Sequence, residues 1–212
     1  TLYQRASAPS TRILDRQGHV LYEISDPHQG RHTPIGFGDI PAACRQATIA
    51  TEDANYYSHP GVDITGIIRA LWINLQGGEV LSGGNTITQQ LARNLLLSPD
   101  ERTQRTLTRK LRESILAWRI TQRFSKDDIL ALYLNEAYYG NLAIGIEAAA
   151  QTYFGKSVGE LDLAECAILA GLPPMPNAGF GGALPSNLIG GYGTSLSNLF
   201  SGRFQTLSAG VS

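Results

Sequence analysis

The sequence is poor in cysteine and in charge, and it has no long apolar run. Its two cysteines, Cys44 and Cys166, are too few for a disulfide framework or a structural zinc site of their own. No apolar run approaches the roughly 18 residues of a membrane span, and no signal-peptide pattern is visible. Charged residues make up 17% of the chain, against about 25% in a typical domain. The formal net charge is -1, which excludes a general nucleic-acid binder. What is present is apolar: hydrophobic residues reach 42% of 212 residues, enough for one substantial core plus a tail. The start at Thr1 rather than Met is expected of a fragment or a processed product.

The averages conceal two local features. From Arg93 to Lys126 there are nine basic residues and three acidic ones, Asp100, Glu101 and Glu113, before the closing helix cap. The rest of the chain then holds eight basic against fifteen acidic residues. So concentrated a positive segment points to an anionic partner. After Asn177 the chain is rich in glycine and serine, and Arg203 is its only charged residue. Residues 178–212 are therefore expected to be an atypical, weakly structured tail.

Residues 1–40 form a β-rich lead-in. Two apolar runs around a glycine-containing turn predict a hairpin over Arg12–Leu21. From Pro41 the pattern becomes helical. Pro41 suits a first helical position, and Ala43, Ala47 and Ala50 follow on one face. Ile64, Ile67, Ile68, Leu71 and Leu75 keep a 3.6-residue period behind Asp63. A glycine loop precedes a helix with Ile87, Leu91 and Leu95 on one side. A long helix carries Leu107, Leu111, Ile115 and Trp118 within an arc of about 80°, with Arg109, Lys110 and Glu113 opposite. One face is expected to be core and the other to present a carboxylate between two cations. Ser125 begins a capping box. Leu142–Phe154 and Leu163–Ala170 read as helices ending at Gly155 and Gly171.

Three constellations can carry chemistry, and each has an ordinary reading beside it. In Glu52–Gly61, adjacent carboxylates sit before a Pro-Gly break. Side chains at i and i+1 diverge by about 100°, so one can be catalytic while the other holds backbone. The ordinary alternative is a solvated helix end with a loop histidine. In Gly83-Gly84-Asn85-Thr86-Ile87-Thr88-Gln89-Gln90, helix-start donors suit anions and polar side chains suit sugars; a plain helix start fits equally. Arg109-Lys110-Leu111-Arg112-Glu113 can bind an anion or be an exposed i,i+4 pair.

In order and spacing these blocks resemble the peptidoglycan glycosyltransferase domain of class A penicillin-binding proteins (glycosyltransferase family 51). That family shows Glu-Asp-x-x-Phe/Tyr-x-x-His-x-Gly, Gly-Gly-Ser-Thr-Ile-Thr-Gln-Gln and Arg-Lys-x-x-Glu. Ile129–Asn135 with Ala148–Lys156, and Leu169–Pro176, are similar to its fourth and fifth blocks. The likeness covers roughly residues 10–177. It implies a mainly α, lysozyme-like, two-lobed domain over 41–177, with a membrane-proximal lobe at 64–81. It also implies polymerisation of lipid II on a nascent glycan strand, with inversion and loss of undecaprenyl pyrophosphate. Glu52 is then the general base and Glu113 the second catalytic carboxylate. Asp53, His59, Gly84, Thr86, Gln89, Gln90 and Asn135 are the implied substrate-binding residues, with Thr86, Gln89 and Gln90 lining the cleft. Arg93, Arg105, Arg109 and Lys110 are implied for the pyrophosphate. The resemblance adds a divalent cation, Mg or Mn, although no ligand cluster is readable. It places the domain at the outer leaflet, on the extracytoplasmic face of the bacterial cytoplasmic membrane, with the anchor outside this chain. The alternatives are a lysozyme-like muramidase or lytic transglycosylase, and an inactive lipid II-binding domain. Two departures stand out. Asn85 replaces serine, and after Pro176 the family's arginine-bearing helix is missing, which suggests a truncated or frame-shifted end.

Overall fold

The computed structural model describes residues 2–24, 30–63, 85–103 and 106–173. The expectations for the lobe at 64–81, for Gly84 and Arg105, and for the tail at 178–212 lie outside the described residues. Among the described residues the chain is mainly helical, as expected, with four short strands.

The lead-in holds a hairpin, β1 (Thr11–Leu14) and β2 (Val20–Ile24), paired antiparallel with an irregularity between Ile13 and Leu14. Asp15 shapes the turn by accepting the backbone N–H groups of Gln17 and His19. A second pairing is parallel and long-range: β3 (Arg31–His32) runs beside β4 (Ala143–Ile144). It displaces part of a predicted helix. Leu142–Ile144 was expected to begin a helix, but Asn141 and Leu142 take positive φ and Ala143–Ile144 join β3. The helix starts after them, and local propensity yields there to a partner over 100 residues away.

The helices are α1 (Ala42–Glu52), α2 (Ile87–Leu96), α3 (Pro99–Thr103), α4 (Leu107–Thr121), α5 (Lys126–Glu136), α6 (Ile146–Phe154) and α7 (Leu163–Ala170). Their starts follow capping chemistry. Thr86, Ser125 and Asp162 each accept the N3 backbone N–H, and Gln89, Asp128 and Glu165 return the bond. Gly155 closes α6 in the left-handed conformation. Pro41 is the N-cap of α1 rather than its first residue.

Helix α5 is central, with every residue from Ile129 to Glu136 buried except Ala131. Helix α2 packs on α4 and α5, and α1 packs on α7. Cys44 and Cys166 face each other across that last contact and form a disulfide. The buried positions of α1 are Cys44 and Thr48, while Ala50 is exposed; the core stripe lies one step round from the predicted alanines.

The largest correction concerns α4. Leu111, Ile115 and Trp118 are 62%, 49% and 52% exposed, and Glu113 is 1% exposed. The predicted faces are reversed. Glu113, Ala117 and Ile120 turn inward, where α2 packs, and the apolar stripe turns outward. A helical wheel separates the two faces but does not say which has a neighbour. Glu113 tolerates the inward position because Arg109 pairs with it. The side chain of Leu107 lies outside the described residues.

Candidate active site

Glu52 is the last residue of α1, and Asp53 caps that helix through its N–H to the Ile49 carbonyl, 2.9 Å. Their side chains part as the helical geometry requires. Asp53 accepts from His59 Nε2 at 2.8 and 3.0 Å and from the Ile87 N–H at 3.1 Å. The Gly61 N–H donates to His59 Nδ1, 3.1 Å, so Nε2 carries the proton given to Asp53. This pair ties the turn after α1 to the first residue of α2. Gly61 has φ +85°, and a Cβ there would lie 2.9 Å from the Ala117 carbonyl oxygen; only glycine fits. Asp53 and His59, expected to bind substrate, instead hold backbone here.

Thr86 and Gln89 are likewise engaged within the protein. The Thr86 hydroxyl donates to the Gly61 carbonyl at 2.7 Å and accepts the Gln89 N–H. Gln89 closes the capping box and donates to Ser114 on α4, 2.9 Å. Each is 2% exposed, so their polar atoms join α1, α2 and α4 rather than line a cleft. Gln90 points elsewhere. Its Nε2 donates to Glu52 Oε2 at 2.6 Å, and its Oε1 accepts from the Tyr133 hydroxyl at 3.4 Å. The other Glu52 oxygen, Oε1, is buried without a hydrogen-bond partner. Burial pushes the Glu52 carboxyl above the usual carboxylate range, and Asp53 adds to this; the Gln90 bond and the Arg93 charge act against it.

Helix α4 supplies the second carboxylate. Arg109 Nη1 donates to Glu113 Oε1 at 3.1 Å and to the Arg102 carbonyl at 3.3 Å, leaving its Nε buried and unpartnered. Among the described residues Lys110 makes no direct ion pair with Glu113; its ammonium donates to the Asn85 side-chain oxygen. Burial lowers the Lys110 pKa, with Arg93 and Arg109 adding to the effect and Glu113 opposing it. Lys110, Arg93 and Arg109 thus sense one another's charge around one carboxylate. Such a cluster favours an incoming anion.

Asn135 lies apart from this group. Its Nδ2 donates to the Ile35 and Ala131 carbonyls and its Oδ1 accepts the Ile35 N–H, each at 2.9 Å. With both ends of its amide bonded in this way it pins the lead-in to α5. Two contributors were not foreseen. Tyr133 holds Gln90, and burial raises its own pKa; Asn85 holds Lys110. Both stood inside the quoted motifs, but only folding shows what they touch.

Among the described residues no group of three metal-ligating side chains occurs. Asp53 and the Glu113 Oε1 are already engaged by protein donors: His59 and the Ile87 N–H take the Asp53 oxygens, and Arg109 takes Glu113 Oε1.

The comparisons with known proteins agree with this assembly. A family model described as transglycosylase matches residues 17–180. The chain is 51% identical over 166 residues to penicillin-binding protein 1A of Escherichia coli, covering 78% of this chain and 19% of that protein. Over the same shares it is 45% identical to penicillin-binding protein 1A of Pseudomonas aeruginosa and 43% to that of Haemophilus influenzae. The chain spans about a fifth of the length of the curated relatives it matches. With a helical frame that joins Glu52, Gln90, Arg93, Lys110, Arg109 and Glu113, and a family match over most of its length, the chain belongs to the transglycosylase family of penicillin-binding proteins.

Proposed function

We propose that this domain is a peptidoglycan glycosyltransferase that polymerises lipid II. The observation that carries the reading is Glu52: one oxygen is oriented by Gln90, the other is buried without a partner, and burial raises its basicity. In the proposed reaction Glu52 takes the proton of the acceptor 4-hydroxyl as that oxygen attacks the anomeric carbon. The new C–O bond forms as the bond to undecaprenyl pyrophosphate breaks, and the configuration inverts. The proton then passes from Glu52 to water. Arg93, Arg109 and Lys110 stabilise the charge developing on the pyrophosphate, and the unpartnered Arg109 Nε is a donor for it. Glu113 fixes the Arg109 guanidinium. No step is routed through a divalent cation; the reading carries such an ion only as a companion of the pyrophosphate.

Two features support work at the outer leaflet, on the extracytoplasmic face. The buried Cys44–Cys166 disulfide suits an oxidising compartment. The exposed Leu111, Ile115 and Trp118 of α4, with Arg112 and Arg119 beside them, suit a membrane interface.

A basic carboxyl would also suit a muramidase acid, so the test offers both substrates. Wild type, Glu52→Gln and Glu113→Gln are incubated with lipid II or with preformed peptidoglycan. Glycan polymer from lipid II, lost in the variants, is expected. Muropeptide release from peptidoglycan without polymer would make the domain a hydrolase or lytic enzyme. Lipid II binding without turnover in wild type would make it a binding module.

A further inference from the structure

Away from the reaction centre, the ends of α2 and α4 enclose a groove of about 260 Å³. Its lining is apolar below, with Leu2, Leu96, Leu116, Ile120 and Phe124, and cationic at the rim, with Arg5, Arg119 and Arg123. Ile120 is two helical turns further along α4 than Glu113, about 10 Å of axis. No acidic residue lines the groove. Among the described residues the ion pairs involve other arginines, and none of these three takes part in one. Arg5, Arg119 and Arg123 are exposed, while Leu2 and Ile120 are buried.

We propose that this groove is a binding site for an anionic phospholipid. The phosphate is held by the rim arginines, and part of one acyl chain lies on the apolar floor. Charge complementarity selects the occupant. Three cations that take part in no ion pair among the described residues call for an anion, and apolar side chains lining the same groove call for one joined to hydrocarbon. The volume is below the roughly 300–1,000 Å³ of an enclosing small-molecule pocket, as befits a seat that grips one stretch of a lipid and leaves the rest in its bilayer. The same helix presents Trp118, Ile115 and Leu111 outward next to Arg119, so rim and apolar stripe can meet one membrane surface together. The site deepens the membrane part of the proposed function but is independent of the glycosyl transfer.

The test is flotation with vesicles of phosphatidylcholine alone or mixed with phosphatidylglycerol. The wild type is compared with Arg119→Gln/Arg123→Gln and with the equal-charge control Arg16→Gln/Lys156→Gln, whose cations are exposed and lie outside the groove and off α4. The groove variant is expected to lose about tenfold or more in binding to the phosphatidylglycerol vesicles, the scale of two cations leaving an anionic surface. The control is expected to lose far less. Dihexanoylphosphatidylglycerol is expected to compete in wild type at concentrations where inorganic phosphate does not. Equal losses in the two variants, or equal competition by phosphate, would overturn the site. Lipid II polymerisation in detergent is expected to be unchanged in the groove variant and abolished in Glu52→Gln, which keeps its vesicle binding. Absence of polymer from wild type would count against the enzymatic reading alone.

Discussion

Glu52 combines a hydrogen-bonded oxygen with a buried, unpartnered one, so under the proposed function its protonation state bears on both activity and stability. Its pKa is raised above the ordinary carboxylate range, first by burial. The folded state therefore favours the protonated form. That contribution to stability is present at low pH and is lost as pH rises through the folded-state pKa. Glu52→Gln mimics the protonated form, so its melting temperature at neutral pH is expected to match or exceed wild type by about 2–4 °C. The same substitution is expected to cost about 10²-fold or more in polymerisation. A melting curve beside a lipid II assay checks both. The base must be ionised, so the rate is expected to fall as pH drops through a pKa above the usual carboxylate range. The Gln90 bond opposes the rise; Gln90→Leu is expected to move this acid limb to higher pH and to lower the maximal rate. A pH–rate profile of the two proteins checks the direction, and an unmoved limb would remove Gln90 from its positioning role.

The elements are joined at their ends as well as packed along their faces. Thr86 is the clearest joint: it caps α2 and also donates to the Gly61 carbonyl across from the end of α1. Thr86→Ala removes a cap and leaves a buried carbonyl unpaired. A loss of about 2 kcal/mol is expected, with Thr86→Ser restoring most of it, measured by urea unfolding. Activity is expected to fall with it, because Asp53, bonded to Ile87, sets the direction in which α1 ends. The polar second block thus serves two purposes. Thr86 and Gln89 face inward and build the joint, and Gln90 alone reaches the base. A motif string does not separate these roles, since neighbours in sequence point about 100° apart on a helix. Helix α4 teaches the same lesson on a larger scale. Its two faces were legible from the period, but their orientation depended on α2, which offers Gln89 to Ser114 beside Glu113.

At the scale of the molecule, the disulfide closes a long loop, since Cys44 and Cys166 are 122 residues apart in sequence. On the chain-entropy account such a link contributes about 4–5 kcal/mol. Cys44→Ser/Cys166→Ser is expected to unfold at markedly lower urea, and thiol alkylation of the native protein is expected to find no free cysteine. Cysteine count alone left this pairing open, because only folding brings α1 and α7 together. Other features were legible early. The hairpin, the capped helix start at Ser125 and the stop at Gly155 follow from residues close together in the chain, so local sterics and hydrogen bonding decide them. The ordered motifs likewise carried the family, because residue type and spacing are read directly from the chain; the roles of Glu52 and Glu113 belong to the proposed function. Tertiary structure alone decided which polar residues are paired within the protein. Asp53, His59, Thr86, Gln89 and Asn135 find backbone partners, some of them far away in the chain, whereas one oxygen of Glu52 finds none. The physical reason is that a buried polar group must be paired, and its partner is set by packing between elements, which no local pattern encodes.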